Sequence, residues 1–303
     1  MVTSMRKNIF SRILNPSKKN IFSLIKMSSS VSSTSENLIE TEKVGNVFMI
    51  GINRPEHRNA VNPETAQELI KAFKQFEADK DSLVAVLHGK GGNFCAGFDL
   101  KALSQLDNTN FSLKDPNSSD EAPMGPSRML FSKPVIGAIS GYAVAGGMEL
   151  SLLCDLRIME ESAVMGVFCR RFGVPLIDGG TVRLPQLIGL SRAMDLILTG
   201  RPLRGKEALE FGLANQLVAT GTALGRACQL ASNIAQFPQE CMLTDRRSVY
   251  NSVYNSSSIK NALQFEYVEG IKVISTESIA GAQKFTSGIG KHGSFNLGKP
   301  SKL

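Results

Sequence analysis

The tightest constraint on how this chain can fold lies between Ser140 and Asp155, which read S-G-Y-A-V-A-G-G-M-E-L-S-L-L-C-D. A β-rich run, Val135-Ile136-Gly137-Ala138-Ile139, leads into the segment, and a helical pattern leads out. Gly146 and Gly147 sit at the junction, where glycine lets backbone approach a ligand closely and turn its N–H groups outward. A helix beginning there adds unpaired N–H donors and the positive end of its dipole. These suit a carbonyl oxygen that gains negative charge during a reaction. Glu149 falls in the first turn, beside those donors, where a carboxylate can transfer protons. Glycines also close ordinary strand–helix junctions, so the segment alone leaves both readings open.

A second segment narrows them. Gly92-Asn93-Phe94-Cys95-Ala96-Gly97-Phe98-Asp99-Leu100 follows the strand-like run Leu83-Val84-Ala85-Val86-Leu87-His88 and again ends in a glycine turn before a helix. Two backbone donors, one from each turn, are what an oxyanion hole needs. The pattern A-G-x-D-L, followed some fifty residues later by G-Y-A-x-x-G-G-x-E-L, resembles the enoyl-CoA hydratase/isomerase (crotonase) family. The likeness continues through Lys133-Pro134-Val135-Ile136, Cys154-Asp155-Leu156-Arg157, Gly179-Gly180-Thr181 and Arg183-Leu184-Pro185. It resumes in Leu198-Thr199-Gly200-Arg201 and Ala208-Leu209-Glu210-Phe211-Gly212-Leu213-Ala214.

Composition excludes some other classes. The net charge of +7 over 303 residues invites a nucleic-acid reading, but residues 1–35 hold six Lys/Arg and no acid. The remainder carries 28 basic against 27 acidic residues, without the aromatic–basic interleaving of a nucleic-acid groove. No run approaches eighteen apolar residues, so no spanning helix is expected. Five scattered cysteines without a C-x-x-C pair point to reduced thiols rather than a disulfide framework or zinc site. His57, His88 and His292 lie far apart, and no metal is implied.

Along the chain, residues 1–36 form a basic, Ser-rich leader that resembles an amphipathic mitochondrial presequence; a disordered tail without an address is the alternative. Met27 offers a second start. From Val47 to about residue 235 strand and helix patterns alternate, an α/β core of βαβ-like units. Asn62-Pro63-Glu64 is a helix start, and Ala66, Leu69, Ile70, Phe73 and Phe76 share one face of that helix. The polar stretch from Gln105 to Pro126 is too long for an ordinary connection and is either a cover over the site or a surface insertion. Residues 236–290 read as helices, an oligomerisation region. Residues 291–303 form a tail ending in Ser301-Lys302-Leu303, a peroxisomal import tripeptide. Mitochondrion and peroxisome are both expected addresses.

The resemblance implies a crotonase-like spiral of ββα units with a helical C-terminal region, in homotrimers or homohexamers. It implies an acyl-CoA thioester as substrate, with coenzyme A part of that substrate and no separate cofactor. Carried over by position, it assigns the oxyanion donors to the N–H groups of Ala96 and Gly146 and the acid/base to Glu149. Substrate contacts fall to Arg58 and Ala60 in one turn, to Gly97, Phe98, Asp99 and Leu100 in another, and to Gly147 and Cys169. Asp99 is equally a helix cap. Phe285 and Lys291 would approach coenzyme A from a neighbouring subunit.

One departure matters. Family hydratases use a second glutamate about twenty residues after Glu149, and here that position holds Cys169. A thiol with an ordinary pKa near 8.5 is a poor substitute, although Arg170 and Arg171 adjoin it. Asp178 in Pro175-Leu176-Ile177-Asp178-Gly179-Gly180 offers a carboxylate instead, or is an ordinary turn residue. Three functions follow: an enoyl-CoA hydratase of fatty-acid β-oxidation, a double-bond isomerase on the same scaffold, or a non-catalytic acyl-CoA-binding homologue.

Overall fold

The computed structural model describes residues 37–105 and 121–291. The leader, most of the polar stretch before Pro126, His292 and the tail with Ser301-Lys302-Leu303 therefore lie outside the described residues.

Short apolar runs build a sheet that is parallel except for its first hairpin. The hairpin β1 (Ile39–Val44) and β2 (Val47–Ile52) turns at Gly45, whose φ of 59° suits the first central position of a two-residue loop. Helix α1 (Pro63–Ala78) starts as its sequence predicts, with the Asn62 side chain accepting the Thr65 N–H at 2.9 Å. Its predicted apolar face is buried, and Phe73 stacks on Phe131 with ring centroids 4.6 Å apart. The chain then returns in β3 (Val84–Gly89), parallel to β2.

Asp99 caps the short helix α2 (Leu100–Ser104). Next comes β4 (Val135–Ile139), parallel to β3 and buried at every position, as a sheet covered on both faces requires. From here the repeat is ββα rather than the βαβ read from hydropathy. After β4 comes a second strand, β5 (Tyr142–Val144), and then α3 (Gly146–Leu153). The next turn repeats it with β6 (Leu156–Glu160), β7 (Val164–Gly166) and α4 (Gly180–Ile188). Each turn gives a long strand to the main sheet and a three-residue strand to a second sheet, where β5 pairs parallel with β7. That is the spiral. Strands of three residues carry too little alternation to be seen in sequence.

Helix α5 (Leu190–Thr199), strand β8 (Leu203–Arg204), helix α6 (Gly205–Glu210) and strand β9 (Gln216–Val218) complete it. The main sheet runs β1-β2-β3-β4-β6-β9. Helix α7 (Ala223–Ile234) lays Ala223, Ala227 and Ala231 on one face of it, against Val84, Val86, Ile136 and Ile158. Helices α8 (Gln239–Tyr254), α9 (Ile259–Val273) and α10 (Ile279–Thr286) follow. Asp155 anchors α8, accepting from Arg246 Nε and from the Tyr250 hydroxyl at 2.9 Å each. No helix among the described residues is long and apolar enough to cross a membrane.

The junction between β5 and α3 is where the two glycine turns meet. Cys95 and Ala143 form an isolated parallel bridge, with the Cys95 carbonyl accepting the Val144 N–H at 3.0 Å. Gly147 lies against that carbonyl so closely that a Cβ there would stand 2.1 Å from the Cys95 oxygen. Because the obstacle is backbone held in a bridge, it cannot turn aside. Gly147→Ala is therefore expected to cost about 3 kcal/mol or more in urea unfolding. At Gly146 a Cβ meets the flexible Met124 side chain instead, so Gly146→Ala should fold with a much smaller loss. Equal stability of the two variants would refute this account.

Candidate active site

Where α3 begins, a cavity of about 750 Å³ opens beside it. Its wall is largely apolar, with Leu103, Met124, Phe168, Phe172, Val174 and Ile177 among the lining residues. Of the sequence-predicted residues, Glu149, Asp178, Cys169, Gly146, Ala96, Phe98 and Leu100 line it together. Arg58, Ala60, Gly97, Asp99 and Gly147 do not. Arg58 is left-handed at φ 49° and sets its guanidinium over the Tyr142 ring, 5.6 Å from the centroid. The Ala60 carbonyl accepts from Arg54. Asp99 divides its carboxylate between capping α2 and pairing with Arg54 at 3.2 Å.

Two carboxyl groups face this apolar space. Glu149 is 3% exposed, and its Oε1 accepts the backbone N–H groups of Asp178 at 3.0 Å and Gly180 at 2.8 Å. Gly180 must be glycine for this: a Cβ would stand 2.9 Å from that oxygen. Asp178, equally buried, uses Oδ1 to accept the Met124 N–H at 2.9 Å and the Ser127 hydroxyl. Burial, and after it the charge of Asp178, push Glu149 from its ordinary 4.5 to about 7, against the pull of the two N–H groups. Burial also raises Asp178, while Ser127 and Met124 oppose the rise. The Cys169 thiol is raised by burial and by the charge of Glu149, so the neighbouring arginines do not activate it.

The backbone donors differ from expectation at one position. Ala96 cannot be the second oxyanion donor as placed here, because its N–H is committed to the Arg58 carbonyl at 3.0 Å. Two residues on, the Phe98 N–H has no acceptor among the described residues, and neither has the Gly146 N–H. These two groups belong to adjacent turns. Gly97, at φ 96°, packs on the start of α3 with its would-be Cβ 3.0 Å from the Gly146 nitrogen. The backbone strain is not carried by the glycines of α3. Ala145 carries it, at φ 54° and ψ −128°, a conformation that costs a non-glycine residue about 1–3 kcal/mol.

Over residues 42–285 the chain matches the enoyl-CoA hydratase/isomerase family, and it belongs to that family. A relative from Dictyostelium discoideum, named as a probable mitochondrial enoyl-CoA hydratase, is 34% identical over 226 residues, 75% of this chain and 79% of the relative. One from Arabidopsis thaliana, named as a probable peroxisomal enoyl-CoA hydratase, is 34% identical over 210 residues, 69% of this chain and 77% of the relative. The crystal structure of an enoyl-CoA hydratase from Mycobacterium tuberculosis superposes with a TM-score of 0.76 at 32% identity, covering 83% of this chain and 96% of that one. Relatives thus carry both of the organelle names that the ends of this sequence suggest.

The buried acid has a consequence for stability. Because the folded pKa of Glu149 lies above its unfolded value, the folded protein keeps a proton between about pH 4.5 and 7 that the unfolded chain loses. Stability from this group is therefore full below pH 4.5 and lost as pH rises to about 7, by at most about 3 kcal/mol. Glu149→Gln keeps an oxygen for both N–H donors and removes the titration. Urea unfolding at pH 5 and pH 8 should show the wild type losing ground to this variant at the higher pH. An unchanged difference between them would remove Glu149 as the buried acid.

Proposed function

We propose that this protein is an enoyl-CoA hydratase that adds water across the double bond of a 2-enoyl-CoA thioester, the hydration step of fatty-acyl β-oxidation. The observation that carries this reading is the meeting, on one cavity wall, of two buried carboxyl groups and two backbone N–H groups without acceptors among the described residues. The N–H groups of Phe98 and Gly146 hold the thioester oxygen. Water oxygen bonds to C3, the π electrons move onto C2 and the thioester oxygen, and the resulting enolate is stabilised by those donors. One such donor is worth on the order of 3 kcal/mol.

Two proton transfers complete the addition. Asp178 is assigned the ionised form, since the Ser127 hydroxyl and the Met124 N–H both donate to its Oδ1, and its charge helps to keep the proton on Glu149. The Asp178 carboxylate takes the proton from water, and the Glu149 carboxylic acid delivers one to C2. Exchange with solvent after product release restores both groups. Cys169, at the family's second glutamate position, keeps its thiol proton and supplies no charge. Asp178 thus stands in for that glutamate from a different loop.

Asp178→Asn should lower turnover of a 2-enoyl-CoA by about two to four orders of magnitude, whereas Cys169→Ala should leave it at its original order of magnitude. In the wild type, kcat/KM should fall as pH rises past about 7, where Glu149 loses its proton. The assay is formation of the 3-hydroxyacyl-CoA. A full-length protein that shifts the double bond without taking up water is an isomerase, and one that binds the thioester without either reaction is a binding homologue. Either result overturns the hydratase reading.

We further propose a homotrimer or a dimer of trimers. Helix α5 exposes Leu190, Met194 and Leu198, and α9 exposes Ile259, Leu263 and Tyr267, apolar surface that a second copy would cover. Light scattering should give three or six times the 32.8 kDa of the chain; a monomer at micromolar concentration overturns this.

A further inference from the structure

The base assigned above is held by a residue that the family pattern does not mark. We propose that Ser127 is a positioning residue for the reaction, fixing Asp178 so that one carboxylate oxygen is bound and the other is presented to the cavity. The proposal rests on the assignment of Asp178 as the base.

Ser127 is wholly buried, in the short 3-10 turn Pro126–Arg128, and its hydroxyl donates to Asp178 Oδ1. A hydroxyl has one proton, so this bond uses it. The same oxygen receives the Met124 N–H at 2.9 Å. With both donors on Oδ1, no protein group among the described residues occupies Oδ2, and Asp178 lines the cavity. The turn that carries both donors is fixed from outside the site. Ala122 and Gly125 exchange backbone hydrogen bonds at 2.8 and 3.1 Å. Gly125, at φ 81°, lies so close to α1 that a Cβ would stand 2.6 Å from the Ala66 carbonyl. Helix α1 thereby braces the turn, and the turn grips the carboxylate.

The consequence is chemical. The charged and titratable groups around Asp178 are Glu149 from α3, Arg183 from α4, Arg128 from the same turn, and Cys169 beyond Glu149. Both carboxyls are lifted by burial, so hydration needs something to decide which of them keeps the proton. Two donors on one oxygen of Asp178 favour its ionised form and offset the two backbone N–H groups that do the same for Glu149, so loss of the Ser127 hydroxyl tips the balance toward a proton on Asp178. Ser127 in this way leaves the proton on Glu149, where the enolate carbon needs it.

The test is Ser127→Ala in the full-length protein, with kcat, KM and the pH profile of kcat/KM measured on a 2-enoyl-CoA. We expect kcat to fall by about ten- to a hundredfold with little change in KM, and the acid limb to move up by about one pH unit. Ser127→Thr, which keeps the hydroxyl, should restore that limb. Ser127→Cys keeps the volume but donates weakly, and should move the limb the same way if the alanine variant does not fold. In an Asp178→Asn background Ser127→Ala should cost nothing further. A folded Ser127→Ala variant with unaltered kcat and acid limb, alongside an inactive Asp178→Asn, overturns the role of Ser127 and leaves Asp178 standing. An active Asp178→Asn variant overturns both.

Discussion

A carboxylate buried in the first turn of α3, held by two backbone N–H groups of the loop before α4, is the contact on which the rest of this site depends. Glu149 has given up solvent, and an unpaired carboxylate there would cost far more than the fold can spare. The N–H groups of Asp178 and Gly180 compensate for part of that loss. They also tie two successive turns of the spiral together at the cavity wall. Because the Asp178 backbone supplies one of those N–H groups, its side chain is delivered to the same wall. One hydrogen-bonded link therefore sets both carboxyl groups, and their mutual influence follows from it.

The candidate oxyanion donors, the N–H groups of Phe98 and Gly146, depend on a second close approach. The strand–turn–helix of Val144 to Gly147 packs onto the turn at Cys95 to Phe98, with glycine at each point of contact. Gly97 and Gly147 are required by lack of space, Gly97 also by its φ of 96°. The residue with no such excuse is Ala145, which carries a positive φ without being glycine. Its N–H is held by the Gly166 carbonyl at 2.8 Å and its own carbonyl receives the Glu149 N–H at 3.2 Å. Those bonds hold a conformation the side chain disfavours, and the next N–H along, that of Gly146, is the one left without an acceptor. Strain at a site of this kind is retained where the surrounding structure over-determines it.

Much of this was legible in the sequence because it is local. The start of α1 at Asn62-Pro63, its buried face, the buried strands at 84–88 and 135–139, and Glu149 in a first helical turn each depend on a few neighbouring residues. What was misread depends on distant ones. Which N–H of Ala96-Gly97-Phe98 remains free is decided by the Cys95 sulfur, which accepts from Gly97, and by the Arg58 carbonyl, which accepts from Ala96 and is brought over by the left-handed pair Arg58 and Asn59. Those φ values rest on Asn59, whose buried amide bonds to the carbonyls of Lys90 and Asn93. No reading of A-G-F-D-L alone contains that. Likewise β5 and β7 are strands because they pair with each other, β7 also with β8, partners distant in sequence. Ser127 and Met124 reach Asp178 across more than fifty residues, and nothing local to the sequence around Ser127 announces it.

Moving the second carboxylate from the position of Cys169 to that of Asp178 changes more than its address. A glutamate at 169 would sit on the 3-10 turn Phe168–Phe172, a separate segment from the one that holds Glu149. Asp178 lies instead on the holding segment itself. Any shift of that loop therefore moves the Asp178 carboxyl, the proposed base, and loosens the hydrogen bonds on Glu149 together. The loop is braced from outside by Arg183, whose Nη1 donates to the Asp178 carbonyl at 3.2 Å, and by the Met124 and Ser127 donors. In the proposed reaction a pair coupled in this way takes its protonation order from the hydrogen bonds that packing places on each carboxyl. The apolar cavity makes that order matter, since among apolar walls each misplaced proton or charge has few polar neighbours to screen it. In the proposed reaction the acyl group and the attacking water share this space, so the apolar residues that would bind the acyl group also bury Glu149 and hold its pKa up.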